Sequence, residues 1–391
     1  MSKKSQITYA KRELSRAIKV KDLTEFYLLI SKPEKNSEDL YSLRNQARDE
    51  VGYGKTKATK IIELVQFAKT ESKNNMVPED TLRTALSIAL EFEDASRKIF
   101  YCLDVADACN GLGQIDVRNL ALSNAEEILK KLPFSDKKAA GYRQLGTYQA
   151  YFGLDSWESF GKAEIYAAKI KDEYKKSREL HRLAETYSGI IFNSLRKGDG
   201  NLFDMSRFIG MPGTSDKLAV SSREITRKIS NNYYAAISFA RIALVENYVG
   251  LDYAGSLITA NDCINKVVTH RYRAYLHGLL GSSKAILGID PTSHFTAARI
   301  AINKISNPDA HAENKDKAEI AEKLIAFEVC AGKDPSKTIQ LFAVALGKMG
   351  RANNGVRSCL LVFVESSIKK YGGINPGSME KNLNILNKQL Y

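Results

Sequence analysis

This sequence predicts an all-α fold, a right-handed α-solenoid of antiparallel helix pairs with a small helical N-terminal module. Three observations carry that expectation. Apolar residues recur at three- and four-residue steps, as in Leu82, Ala85, Leu86, Ala89 and Leu90, or Ile320, Leu324, Phe327 and Ala331. That is the spacing of one helix face, and no stretch sustains a two-residue alternation rich in Val, Ile and Thr. All eight prolines (Pro33, Pro78, Pro133, Pro212, Pro291, Pro308, Pro335 and Pro376) fall between such segments, as expected of a residue that breaks helix interiors. Finally, glycine, a spacer and aspartate recur together, at Gly153–Asp155, Gly250–Asp252, Gly288–Asp290 and Gly332–Asp334, with looser copies at Gly113–Asp116 and Gly198–Asp199. Glycine takes the left-handed conformation that ends a helix, and aspartate caps the amides that begin the next. Pro291 and Pro335 then fit the first helical position, where a missing N–H costs nothing.

These marks order the elements. After a basic module at 1–75, helices are expected at about 79–92 and 95–110, 116–131 with 135–152, and 157–171 with 173–195. Further pairs follow at 253–268 with 270–286, 292–305 with 312–331, and 336–349 with 354–371. They fill two repeat segments, 76–194 and 216–374. Successive glycines lie 38 to 52 residues apart and most intervals enclose two helices, the period of stacked helix pairs. Residues 195–215 interrupt the rhythm with four glycines, a proline and the apolar Phe203, Met205, Phe208, Ile209 and Met211. Two readings stand: a loop folded over the core, or a hinge or binding loop. Residues 375–391 read as a helix that closes the stack.

The segment Ala163 to Tyr174, followed by Ser177 to Tyr187, resembles tetratricopeptide-like helical repeats, as does Thr84 to Asp94 with the helix after it. The resemblance covers about 79–374 at class level, because no unit carries a strict 34-residue pattern. It implies packed antiparallel helices with a protein- or peptide-binding face, and no catalytic site.

The N-terminal module differs in charge. Residues 1–75 hold 16 Lys plus Arg against 10 acids, and in the first 21 residues seven bases, Lys11 and Arg12 among them, face Glu13 alone. An amphipathic helix there is either a solvated face or a nucleic-acid arm. The run Val51-Gly52-Tyr53-Gly54-Lys55-Thr56-Lys57-Ala58-Thr59-Lys60-Ile61 resembles a helix-hairpin-helix motif over about 40–68. Gly52 and Gly54 permit a tight hairpin and close approach of a phosphate to backbone amides at a helix start. Ala58 is small enough for helix contact, and Lys55, Lys57 and Lys60 add charge without reading sequence. The similarity of Asp49–Thr56 to a P-loop fails, because Asp49 stands where the first glycine is needed and no strand precedes it.

The whole chain of 391 residues carries +13. Residues 266–304, with Arg271 and Arg273, hold six bases against Asp290 alone, so the positive charge is patched, as a polyanion-binding face requires. The five cysteines show no CxxC pair and read as reduced, buried thiols of a cytoplasmic protein. The start lacks a continuous apolar region, and no apolar run approaches the length of a membrane span. His270 and His277 lie two helical turns apart without a partnering acid, so no metal, cofactor or catalytic set is expected. The carboxylate pairs Glu126/Glu127 and Asp104/Asp107 read as solvated or capping groups.

The expected function is a non-enzymatic, nucleic-acid-associated scaffold or regulator. Its N-terminal module would contact DNA or RNA phosphates through Gly52, Gly54, Lys55, Lys57, Lys60, Lys11 and Arg12. Arg271 and Arg273 would extend that surface, and the solenoid would bind a protein or peptide. The alternative is a purely protein-interaction solenoid. A weaker one is a helical-repeat enzyme acting on nucleic acid.

Overall fold

A computed structural model describes residues 56–73, 75–133, 136–193 and 214–349. Among them are fourteen α-helices and no strand. The first six are α1 (Lys57–Lys73), α2 (Glu79–Leu90), α3 (Ala95–Gly111), α4 (Ile115–Lys131), α5 (Asp136–Tyr151) and α6 (Trp157–Ala168). The rest are α7 (Glu173–Asn193), α8 (Thr214–Arg227), α9 (Asn232–Tyr248), α10 (Ala254–Lys266), α11 (His270–Ile286), α12 (Thr292–Asn303), α13 (Ala310–Cys330) and α14 (Ser336–Lys348). They pack in neighbouring pairs, in the manner of an α-solenoid, within two compact units, residues 1–166 and 167–391. Most of the 195–215 connection, the helix expected at 354–371 and the one at 375–391 lie outside the described residues.

The pairing frame differs from the one read along the chain. The closest partners are α1 with α2, α3 with α4, α9 with α10, α11 with α12, and α13 with α14. The marks at Gly113, Gly250, Gly288 and Gly332 thus sit inside the pairs, not between them. Their hydrogen bonds explain why. Gly288 (φ 75°) donates to Ala285 O at 3.0 Å and Ile289 donates to Lys284 O at 2.8 Å, the paired bonds of a Schellman turn. Asp290 Oδ1 then accepts from the Thr292 amide at 3.2 Å and the Thr292 hydroxyl at 2.6 Å. Within a few residues one helix is closed and the next is opened back along it. Gly153, Gly250 and Gly332 repeat the arrangement, with Asp155, Asp252 and Asp334 as caps.

Two details correct the reading. Helices α12 and α14 begin one residue after Pro291 and Pro335, whose carbonyls accept the first helical bonds from Phe295 and Ile339. Asp116 lies within the first turn of α4, after Gln114, and caps nothing through its side chain. One copy had been missed altogether. Asn75 (φ 58°) closes α1, with Met76 donating to Glu71 O at 2.9 Å; asparagine is the residue after glycine most tolerant of this conformation.

The turns carry a second periodic feature. Four residues before the left-handed position stands a polar side chain, and six after it a buried polar one, always the third residue of its helix. The pairs are Glu71 with Thr81, Gln149 with Ser159, Glu246 with Ser256, Lys284 with His294, and Glu328 with Thr338. The repeat therefore places polar atoms in the crease of these five hairpins, whereas the turn at Gly113 has Cys109 and the exposed Asn119 at the same positions.

The rest of the crease is apolar. In the first unit Leu64, Leu82, Leu103 and Leu129 are fully buried, and in the second Phe295, Leu324, Ile339 and Phe342 belong to one continuous core. Helical glycines allow close approach: an added Cβ at Gly146 would meet Phe160 at 2.7 Å, and one at Gly281 would meet Phe295 at 2.8 Å. Cys102, Cys109 and Cys263 are buried as expected, whereas Cys330, at the C-terminal end of α13, is exposed. Cys359 lies outside the described residues.

Candidate docking face

Gly52, Gly54, Lys55, Lys11 and Arg12 lie outside the described residues. The helix expected to follow the hairpin is present as α1. Thr56 Oγ1 accepts from the Thr59 amide at 3.3 Å, so a side-chain cap occupies the helix start. Lys57 is turned to α2, donating to the Glu91 carbonyl at 2.9 Å with the Glu91 carboxylate at 3.4 Å. Lys60 is half-buried.

Arg271 and Arg273 are both engaged internally. Arg271, in α11, bridges to Asp316 and, at 2.8 Å, to Glu319, both in α13. Arg273 gives two hydrogen bonds, at 3.0 and 2.6 Å, to the carbonyl of Val267, which closes α10. The same use of arginine recurs: Arg241 with Glu185 joins α9 to α7, Arg223 with Glu246 joins α8 to α9, and Arg299 with Glu328 joins α12 to α13. Arg182 donates to the buried Glu179 at 2.8 Å. Guanidinium fits this task because its planar fork holds carboxylates in a fixed direction. Meanwhile residues 1–55 carry 12 bases against 8 acids and residues 350–391 carry 6 against 2, so much of the excess charge belongs to segments outside the described ones.

Alternate helices of the second unit, α7, α9, α11 and α13, pack side by side as one layer, and aromatic rings run across it. Tyr174 of α7 meets Tyr234 of α9 at 5.7 Å between centroids, with the Tyr234 hydroxyl donating to the Tyr174 oxygen at 2.9 Å. Tyr233 meets Tyr272 of α11 at 4.8 Å, and Tyr275 meets Phe327 of α13 at 5.7 Å. Lys323 lies 5.6 Å over the Tyr275 ring. Tyr174 is 57% exposed and Tyr272 47%. These tyrosines stand within the first two turns of α7, α9 and α11, a positional regularity visible in the sequence once the helix starts are known.

Other expected groups are placed differently. His277 pairs with His294, not with His270. Asp104 and Asp107 are not solvated caps: they are half-buried in the middle of α3, where burial raises both carboxyls against the pull of Lys69. Glu126 and Glu127 do form ion pairs, with Lys130, near the surface. No group of three or more His, Cys, Asp or Glu among the described residues could hold a metal. No helix among them is long and apolar enough to cross a membrane.

The fold and this face define a helical-repeat protein. No protein-family model and no curated protein sequence matches the chain. Among solved structures it is similar to Ton1535 from Thermococcus onnurineus NA1, at 16% identity over 88% of this chain and 94% of that one, with a TM-score of 0.38.

Proposed function

We propose that this chain is a non-enzymatic, cytoplasmic docking protein that holds a segment of a partner protein along the ring ladder of α7, α9, α11 and α13. The ladder is the observation that carries the reading. Exposed tyrosines offer large apolar area, a hydroxyl and little rotamer entropy to lose, which is why they dominate protein interfaces. Beside them Arg182, Arg241 and Arg271 are matched by carboxylates and Arg273 is held by the Val267 carbonyl, whereas a polyanion site needs unmatched positive charge. The tetratricopeptide-like resemblance points to the same class of partner. A photo-crosslinker at Tyr272 should capture one defined partner from nuclease-treated lysate, and Tyr174→Ala with Tyr234→Ala should abolish that capture without unfolding the chain. Crosslinks scattered over many proteins would refute the docking face.

A second reading, nucleic-acid association through the hairpin-like segment, is supported by the capped start of α1 directly after Gly54 and by the basic excess of residues 1–55. DNA or RNA binding that weakens steeply with salt, and weakens in Gly54→Val, is its expected signature. Absence of binding at roughly 50 mM salt would remove it.

A further inference from the structure

An open cleft of about 830 Å³ lies among α10, α11 and α12, in the second unit. His277 and His294 line it, facing one another Nδ1 to Nδ1 at 3.2 Å, each less than a tenth exposed. When both rings are neutral, one Nδ1–H donates to the other Nδ1. One ring is then left with an Nε2 acceptor and the other with an Nε2–H donor. Among the described residues neither Nε2 has a hydrogen-bond partner.

Lys284 lies two helical turns along α11 from His277 and also lines the cleft. It is half-buried and, among the described residues, makes no ion pair or hydrogen bond, unlike Arg223, Arg241, Arg271 and Arg299. The Asn261 carboxamide likewise has no hydrogen-bond partner among the described residues. The walls are otherwise mainly apolar, chiefly Leu257, Ile258 and Ile289, with Ile258 64% exposed, and Tyr253 and Ser293 complete them. One carboxylate, Asp252, stands at the rim, where Oδ1 caps the Ala254 amide at 3.0 Å.

An unmatched ammonium, an imidazole donor and a carboxamide in an apolar-walled cleft form the donor set for one organic anion. We propose that the cleft binds a small monocarboxylate carried on an apolar body, with the carboxylate at Lys284 and the His277–His294 pair. The apolar body lies against Leu257, Ile258 and Ile289. A single negative charge is favoured because Asp252 opposes a second one. Burial, with help from Arg273 and Lys284, holds both histidines down at about 4. The pair is therefore neutral near pH 7, and Lys284 supplies the anchoring charge.

The test is a titration of the full chain with hexanoate, read by histidine ring NMR signals, with inorganic phosphate as comparator. Hexanoate should shift the His277 and His294 signals saturably, with a dissociation constant in the roughly millimolar range. Lys284→Met should weaken binding by about tenfold or more, and so should Ile258→Asp on the exposed wall, while Lys304→Met on the surface should not. Ring signals that keep their dispersion show that each variant is folded. No saturable shift with hexanoate, equal affinity in folded Lys284→Met, or binding of phosphate alone would each overturn the proposal.

Discussion

Arg299 of α12 donates to the carboxylate of Glu328 in α13, and that carboxylate is 1% exposed. Arg223 and Glu246 repeat the relationship between α8 and α9, again with the acid buried. A buried pair loses hydration on both sides, so the attraction only partly offsets the cost. For Glu328 burial prevails, raising the carboxyl from 4.5 to about 7 against the pull of Thr338 and Arg299. The folded chain thus holds a proton that the unfolded chain releases. The stability this contributes is complete below the unfolded value of 4.5 and is lost as pH rises through about 7. Glu328→Gln keeps the shape but cannot ionise. From about pH 5 to about pH 8, its stability relative to the parent should improve by about 2–3 kcal/mol in urea unfolding. A difference that stays flat with pH would show that Arg299 fully stabilises the ionised form.

The histidines act in the opposite direction. Burial first, then nearby cations, lowers His181, His277 and His294 to about 4. Glu185 stands 3.5 Å from His181, but Arg241 already engages it. A depressed histidine contributes stability that is complete above 6.5 and lost as pH falls through about 4. The chain should therefore lose several kcal/mol on acidification through this window. His181→Gln, which can keep a bond to Ser238, should lose less than the parent between about pH 7 and about pH 4.5. Equal losses in thermal or urea unfolding would place the acid sensitivity elsewhere.

The helical glycines make a third prediction, because alanine is favoured over glycine in a helix by about 1 kcal/mol unless its methyl group has no room. At Gly281 the methyl would sit 2.8 Å from the ring of Phe295, itself 2% exposed and unable to retreat. At Gly161 nothing lies within 4 Å. Gly281→Ala should cost about 1–3 kcal/mol, and Gly161→Ala should gain about 0.5–1 kcal/mol. Thermal unfolding with both changes of the same sign would contradict the close approach of α11 and α12.

What the sequence discloses follows the range of the interactions involved. The Gly288–Asp290 mark is legible because every hydrogen bond that closes one helix and opens the next there spans at most five residues. The same mark cannot say which neighbouring helix packs more closely, so the pairing frame came out shifted by one helix. Asn75 is not legible as such a mark, because it supplies the left-handed turn without a glycine. The ring ladder joins residues about sixty positions apart, Tyr174 to Tyr234, and nothing local distinguishes those tyrosines from ordinary core. Counting bases over 266–304 found Arg271 but could not see Asp316, which lies 45 residues further on.

Arg271 supplies the last prediction, since a structural staple and a polyanion contact respond differently to its loss. Its guanidinium, 37% exposed, spans from α11 to Asp316 and Glu319 on α13. Removing it leaves Asp316, 23% exposed, without its cation and Glu319, 30% exposed, with only Lys315 at 4.0 Å. Arg271→Met keeps most of the apolar stem, so the effect isolates the charge. Partial exposure screens the pair, and the expected cost is about 1–2 kcal/mol, shrinking as salt is added. Changing both acids as well, Asp316→Asn with Glu319→Gln, should restore much of that loss, because no carboxylate at this joint is then left short of a cation. A phosphate contact would behave otherwise: Arg271→Met would leave stability nearly unchanged and reduce the salt slope of DNA or RNA binding by about one. Urea unfolding of the single and triple variants, beside a salt titration of nucleic-acid binding, separates the two. Rescue by the neutralised acids, with an unchanged slope, assigns Arg271 to the joint between α11 and α13; a changed slope without loss of stability refutes that assignment.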